Sequence, residues 1–149
     1  SAIKTDLVIS LGIQLKGKSC RVYDTDQRVK SSFNGLRTYP DASVFCGDME
    51  YDEEDAQKDT AVNPTALFEV LSQSSESYDR GFKFESFRKV SSLKYYVLIA
   101  QDRPHVDVFY RQSDGSWALK DSDSLDGILE LPEIGVTLHL ADLYQRVKF

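Results

Sequence analysis

The stretch TALFEVL, residues 65–71, constrains this chain more than any other. Leu67, Phe68, Val70 and Leu71 are apolar enough for a buried strand, yet Glu69 stands among them. An ionised carboxylate in a low-dielectric interior costs several kcal/mol, roughly, unless a positive group meets it. Alternation along a strand puts Glu69 and Leu71 on one face and Phe68 and Val70 on the other. The fold must therefore deliver a cation to the Glu69 face. A buried salt bridge to Arg37 or Arg88 would serve, and so would a metal ion.

The segments around this strand indicate an α/β chain. Ile3, Leu7, Leu11 and Leu15 recur at four-residue spacing, with Val8 beside them, and predict a helix ended by Gly17. SCRVYDTDQRV predicts a strand with a polar extension, and Asn34-Gly35 a turn. A short strand opens after Pro40, where proline's missing donor is harmless. Serines at 72, 74 and 75 offer N-caps for a helix over about Glu76 to Lys89. KYYVLIAQ is the most apolar strand and the natural centre of a sheet. His105, Asp107 and Phe109 alternate with Val106, Val108 and Tyr110 before Asp114-Gly115, which predicts a hairpin. The C-terminal stretch predicts a short strand, a break at Pro132 and a last helical turn or two. With no repeat and no low-complexity linker, one domain over 1–149 is the expectation.

Charge is less decisive than the total suggests. The net value is -6, but Asp48, Glu50, Asp52, Glu53, Glu54, Asp55 and Asp59 crowd around Lys58. Setting these seven acids and one base aside leaves 17 acids and 17 bases, a balanced remainder that neither supports nor excludes a phosphate-bearing ligand. The acidic block itself reads as a solvated loop. No apolar run approaches the ~18 residues of a membrane span. Cys20 and Cys46 show no CxxC spacing and read as separate buried thiols, which fits a cytoplasmic location. With only His105 and His139 to supply imidazole, a metal is expected on oxygen ligands, hence Mg²⁺ or Mn²⁺.

Asp41 after Pro40, followed by Glu69 inside the next apolar strand, resembles the PD-(D/E)XK nuclease superfamily. Where that pattern has lysine, two residues after the Glu, this chain has Leu71. Lys83 on the following helix is the natural replacement, four residues from Asp79. More specifically, YPD, NPTALFEVLS, SYDRGFKF, LKYYVLI and DRPHVDVFYR, in that order, resemble a restriction-endonuclease family of this superfamily that is abundant in cyanobacteria. The resemblance runs from about Cys20 to Phe149.

It implies a restriction-endonuclease-like α/β core with a mixed central sheet flanked by helices. It also implies Asp41 and Glu69 as metal ligands, aided by the Val70 carbonyl, with Mg²⁺ or substituting Mn²⁺ as cofactor. Lys83 becomes the catalytic cation of a metal-dependent endonuclease acting on nucleic acid, DNA first. A homodimer is compatible with this reading, and a membrane partner is not expected. The alternative is a catalytically inactive nuclease-fold module that binds nucleic acid or protein. Family members carry an N-terminal segment ahead of the first helix that this sequence lacks. They also place Glu and Asp where Tyr95 and Ala100 stand, and commonly Pro at Gln73. Taken without the resemblance, Asp79 and Lys83 read as a solvated helix pair. Tyr78, Phe84 and Phe87 read as core residues, and His105 as a surface histidine with no ligand role.

Overall fold

The structure, a computed structural model, describes residues 1–149. It opens with α1 (Ala2–Leu15), whose first turn is capped by the Ser1 hydroxyl accepting from the Lys4 amide at 3.3 Å. Ile3, Leu7, Leu11 and Leu15 are all buried, as their spacing predicts. Gly17 follows with φ 76°, a left-handed conformation that ends the helix without a Cβ penalty.

The chain then forms β1 (Cys20–Tyr23), β2 (Arg28–Lys30), β3 (Arg37–Thr38), β4 (Ala42–Cys46), β5 (Thr60–Ala61) and β6 (Ala66–Val70). A crossover follows, made of α2 (Glu76–Tyr78), a π turn (Asp79–Lys83) and α3 (Phe84–Phe87). It leads into β7 (Tyr95–Ile99), β8 (Val106–Arg111) and β9 (Trp117–Ser122). The last elements are β10 (Ile128–Leu131), a 3₁₀ turn at Pro132–Ile134, β11 (Val136–His139) and α4 (Leu140–Leu143).

Six strands make the central sheet in the order β1-β4-β6-β7-β8-β9. β6 and β7 run parallel and every other pair is antiparallel, so the sheet is mixed as expected. The parallel pair requires a crossover, and the helical segment 76–87 supplies it. β7, the most apolar strand, lies inside the sheet and is buried along its whole length. The hairpin β8–β9 turns through Gly115 at φ 88°.

Alternation divides the core between the two faces of the sheet. Phe68, Val70, Val97 and Val108 point to the face covered by α1, α4 and the small β10–β11 hairpin. Leu67, Leu71, Tyr96 and Leu98 point to the other face, against Phe87, Val90 and Leu93 of the crossover. The Arg111 guanidinium fastens the end of the crossover to the sheet. It donates to the carbonyls of Arg88, Val90 and Leu93 at 2.8–3.0 Å and lies over the Trp117 ring.

Three expectations are corrected. Cys20 and Cys46 are not separate thiols: they are register partners on β1 and β4 and form a disulfide. The pairing depends on strand register, which the 26-residue separation conceals. The acidic block is not simply a solvated loop. Glu53, Glu54 and Asp59 are exposed, but Asp52 pairs with Lys30 at 3.1 Å and Arg37 at 3.3 Å. The Asp55 carboxylate accepts from the Asp59 and Thr60 amides, both at 2.7 Å, and so shapes the turn into β5. That turn joins β5 to β2 and β3 in a second, three-stranded sheet. The C-terminal region also holds two strands where one is expected, because β10 and β11 pair around the Pro132 break.

Candidate active site

β4 and β6 place the first two residues. Their antiparallel register sets Ala42 opposite Phe68, so one step further puts Asp41 opposite Glu69, just outside the ladder. One Asp41 oxygen accepts from the Val70 amide at 2.7 Å, which ties the end of β4 to β6. Its other oxygen meets the Lys4 ammonium at 3.2 Å. Val70 thus contacts Asp41 through its N–H. Lys4 lies beside the buried stripe of α1 and carried no signal in the sequence.

Glu69 is 5% exposed and meets Lys83, not an arginine. Lys83 Nζ stands 3.0 Å from Glu69 Oε2 and 2.9 Å from Asp79 Oδ1. Arg37 is engaged by Asp52 and Arg88 by Glu85, so neither proposed arginine partner reaches Glu69. The Asp79–Lys83 pair is likewise no solvated helix pair, since the two residues are 2% and 7% exposed. The i, i+4 spacing sets both side chains on one face of the crossover, which is wound here as a π turn. Its wider winding spans Asp79–Lys83, and both side chains are directed at the sheet. The Tyr96 hydroxyl donates to the Asp79 carbonyl at 2.6 Å, bracing the turn against β7. Tyr78 corrects another expectation. It is 43% exposed and outside the core, with Lys83 Nζ 5.4 Å from its ring centroid. Phe87 is fully buried and Phe84 stacks on Tyr96, as core residues should.

The electrostatics are unbalanced toward the negative. Three carboxylates (Asp41, Glu69, Asp79) share two ammonium groups (Lys4, Lys83). Burial, reinforced by the Asp41 and Asp79 charges, outweighs Lys83 and pushes Glu69 up to about 7. Burial works to lower Lys83, but Glu69 and Asp79 prevail and hold it above its ordinary value. Glu69 Oε1 is fully buried and has no hydrogen-bond partner. An orphaned carboxylate oxygen beside a second carboxylate, in a cluster short of one positive charge, suits a hard oxygen-seeking cation. No helix of the chain is long and apolar enough to cross a membrane.

Of the positions that differ from the resembled family, Leu71, Tyr95 and Ala100 are packed and Gln73 is exposed. Tyr95 is buried, its hydroxyl accepting from the Glu133 amide at 3.0 Å. Ala100 is buried, and its carbonyl accepts from the Tyr144 hydroxyl at 2.7 Å. Leu71 is buried against the crossover on Glu69's side of the sheet, where it offers no charge. Beside it, at the carboxyl ends of β6 and β7, opens a cleft of about 330 Å³ lined by Leu71, Ser72, Gln73, Glu76 and Gln101, among others. Reasoning from sequence missed Lys4, the Tyr96 brace and the setting of His105. That histidine is largely covered and stands 2.9 Å from Asp107.

Comparisons with known proteins bear on the fold and the family. Two uncharacterised proteins of Synechocystis are 29% and 25% identical over 91% and 74% of this chain. The chain spans 68% of the length of the first and 62% of the second. A crystal structure described as "a putative nuclease belonging to DUF820" from Anabaena variabilis superposes with a TM-score of 0.70. It matches 97% of this chain and 79% of its own at 20% identity, which establishes a shared fold. The model of the Uma2 family, described as "Putative restriction endonuclease", matches residues 1–141. Covering nearly the whole chain, that match shows that the protein belongs to the Uma2 family.

Proposed function

We propose that this protein is a metal-dependent nuclease that hydrolyses phosphodiester bonds, in DNA before RNA, with Asp41, Glu69 and Lys83 as its working residues. The observation that carries the reading is the buried, unpartnered Glu69 Oε1 beside Asp41, in a cluster lacking one positive charge. Asp41 and Glu69 would hold Mg²⁺, with the Val70 carbonyl as a third oxygen. When bound, the ion supplies Lewis-acid charge to a scissile phosphate and lowers the pKa of coordinated water.

The chain's own groups do the rest. Lys83 is fixed between Glu69 and Asp79, so its ammonium is oriented before substrate arrives and loses little freedom in stabilising negative charge. Asp79 positions Lys83 from the adjacent helical turn, and Tyr96 holds that turn in place. Lys4 holds one Asp41 oxygen by an ion pair at 3.2 Å and so helps to position the carboxylate. A proton on Glu69 near neutral pH stands in for the missing positive charge, and a divalent ion would displace it.

The test is cleavage of supercoiled plasmid, single-stranded DNA and RNA with Mg²⁺ or Mn²⁺, at low ionic strength because the net charge is -6. Cleavage by the wild type that Asp41→Ala and Lys83→Gln both lose supports the nuclease reading. Cleavage unchanged in either variant contradicts the assigned site.

A further inference from the structure

A second group of potential ligands lies outside this site, further along the same face of the sheet. Register pairs Glu69 with Leu98, Leu98 with Asp107, and Asp107 with Asp121, so one row crosses β6, β7, β8 and β9. His105 lies two residues before Asp107, on the same side of the strand. Its Nε2 is 2.9 Å from Asp107 Oδ1 and 4.0 Å from Asp121 Oδ2. One ligand atom from each of the three residues falls within 4.8 Å of the others. Asp107 is 4% exposed, and its second oxygen is held by Arg80 Nη1 at 2.8 Å. This leaves Oδ1 oriented toward His105, the outer support typical of metal-binding carboxylates. Asp121, more than half exposed, leaves a side open to solvent.

The local charge also points to a divalent ion. Arg80 is shared between Glu76 and Asp107, and Asp121 adds a third carboxylate. Apart from the imidazole, the group brings together three carboxylates and one guanidinium. A divalent cation balances the remainder. The donor set of one imidazole nitrogen and two carboxylate oxygens differs from the all-oxygen set at Asp41 and Glu69. It suits a transition ion of the Zn²⁺ type, completed by water, better than Mg²⁺.

We propose that His105, Asp107 and Asp121 form a second metal site, selective for Zn²⁺-like ions, that ties β8 to β9 and is distinct from the Asp41–Glu69 pair. The inference does not rest on the nuclease reading. The test is calorimetric titration of Zn²⁺ into the metal-free full chain with excess Mg²⁺ present, with Co²⁺ absorption reporting the coordination. One Zn²⁺ site is expected. His105→Ala and Asp121→Ala should each weaken it about 100-fold or more, and Arg80→Gln, which removes only an outer partner, about 10-fold or more. His139→Ala, which removes the other imidazole, and Asp41→Ala should leave it unchanged. Because Asp121 is exposed, its alanine variant keeps the test valid if His105→Ala folds poorly. Wild-type affinity in Asp121→Ala, no Zn²⁺ binding to the wild type, or loss of the site in Asp41→Ala would each overturn the proposal.

Discussion

Replacing Glu69 with glutamine in metal-free protein isolates the charge imbalance at the centre of the site. The Glu69 carboxyl is pushed from 4.5 to about 7, so the fold binds this proton more tightly than the unfolded chain does. The difference corresponds to about 3 kcal/mol, from roughly 1.4 kcal/mol per pKa unit. The sign follows from proton linkage. Between 4.5 and about 7 the folded state holds more protons, so the Glu69 contribution is fully present below that window and is lost as pH rises through it. Glutamine resembles the protonated form, still accepts from Lys83 and does not ionise. In EDTA, urea unfolding should therefore give similar stabilities near about pH 5, with Glu69→Gln ahead by up to about 3 kcal/mol near about pH 8. Adding Mn²⁺ at about 100 times its dissociation constant should stabilise the wild type by about 2.7 kcal/mol and the variant hardly at all. A wild-type-minus-variant difference that is flat with pH would refute the charge imbalance. A variant about 3 kcal/mol less stable near about pH 8 would show instead that Glu69–Lys83 is a stabilising buried salt bridge.

Three further outcomes follow from the same geometry. Lys83→Gln should keep most Mn²⁺ binding by calorimetry while lowering the plasmid-cleavage rate roughly 10²-fold or more. By removing the shared partner of buried Asp79 and Glu69, it should also cost about 3 kcal/mol in urea unfolding above about pH 7. Asp41→Ala should abolish the tightest Mn²⁺ site in the same titration, and equal binding by variant and wild type would remove Asp41 from the site. Tyr96→Phe deletes the hydrogen bond to the Asp79 carbonyl and should lower stability by about 1 kcal/mol, read from the urea midpoint.

The parts of the fold legible in the sequence were those written in periodicity. The four-residue stripe of α1, the continuous apolar run of β7 and the alternation of β8 each fix a burial face without long-range information. Glu69 was legible for the opposite reason. A lone acid in an apolar strand demands a partner, and position alone could narrow that partner to a cation. Which cation was not legible from residue chemistry. The i, i+4 spacing puts Asp79 and Lys83 on one helical face, but which face of the crossover turns toward the sheet is decided by tertiary packing. Family resemblance, not periodicity, singled out Lys83. Register was the other hidden variable. It joins Cys20 to Cys46 and sets Asp41 opposite Glu69, and each pairing depends on which strands become neighbours. Lys4 was invisible for a similar reason, since its contact with Asp41 exists only once α1 has docked.

The central claim is that Asp41 and Glu69 jointly hold a divalent ion beside a pre-positioned Lys83. The most direct measurement is a crystal structure of the wild-type protein soaked with Mn²⁺, with anomalous density used to locate the ion. The account predicts a peak within coordination distance of an Asp41 carboxylate oxygen and of Glu69 Oε1, the oxygen that otherwise lacks a partner, with Lys83 still paired to Asp79. Density confined to other carboxylates, with Glu69 and Lys83 paired and no peak between Asp41 and Glu69 at saturating Mn²⁺, would contradict it.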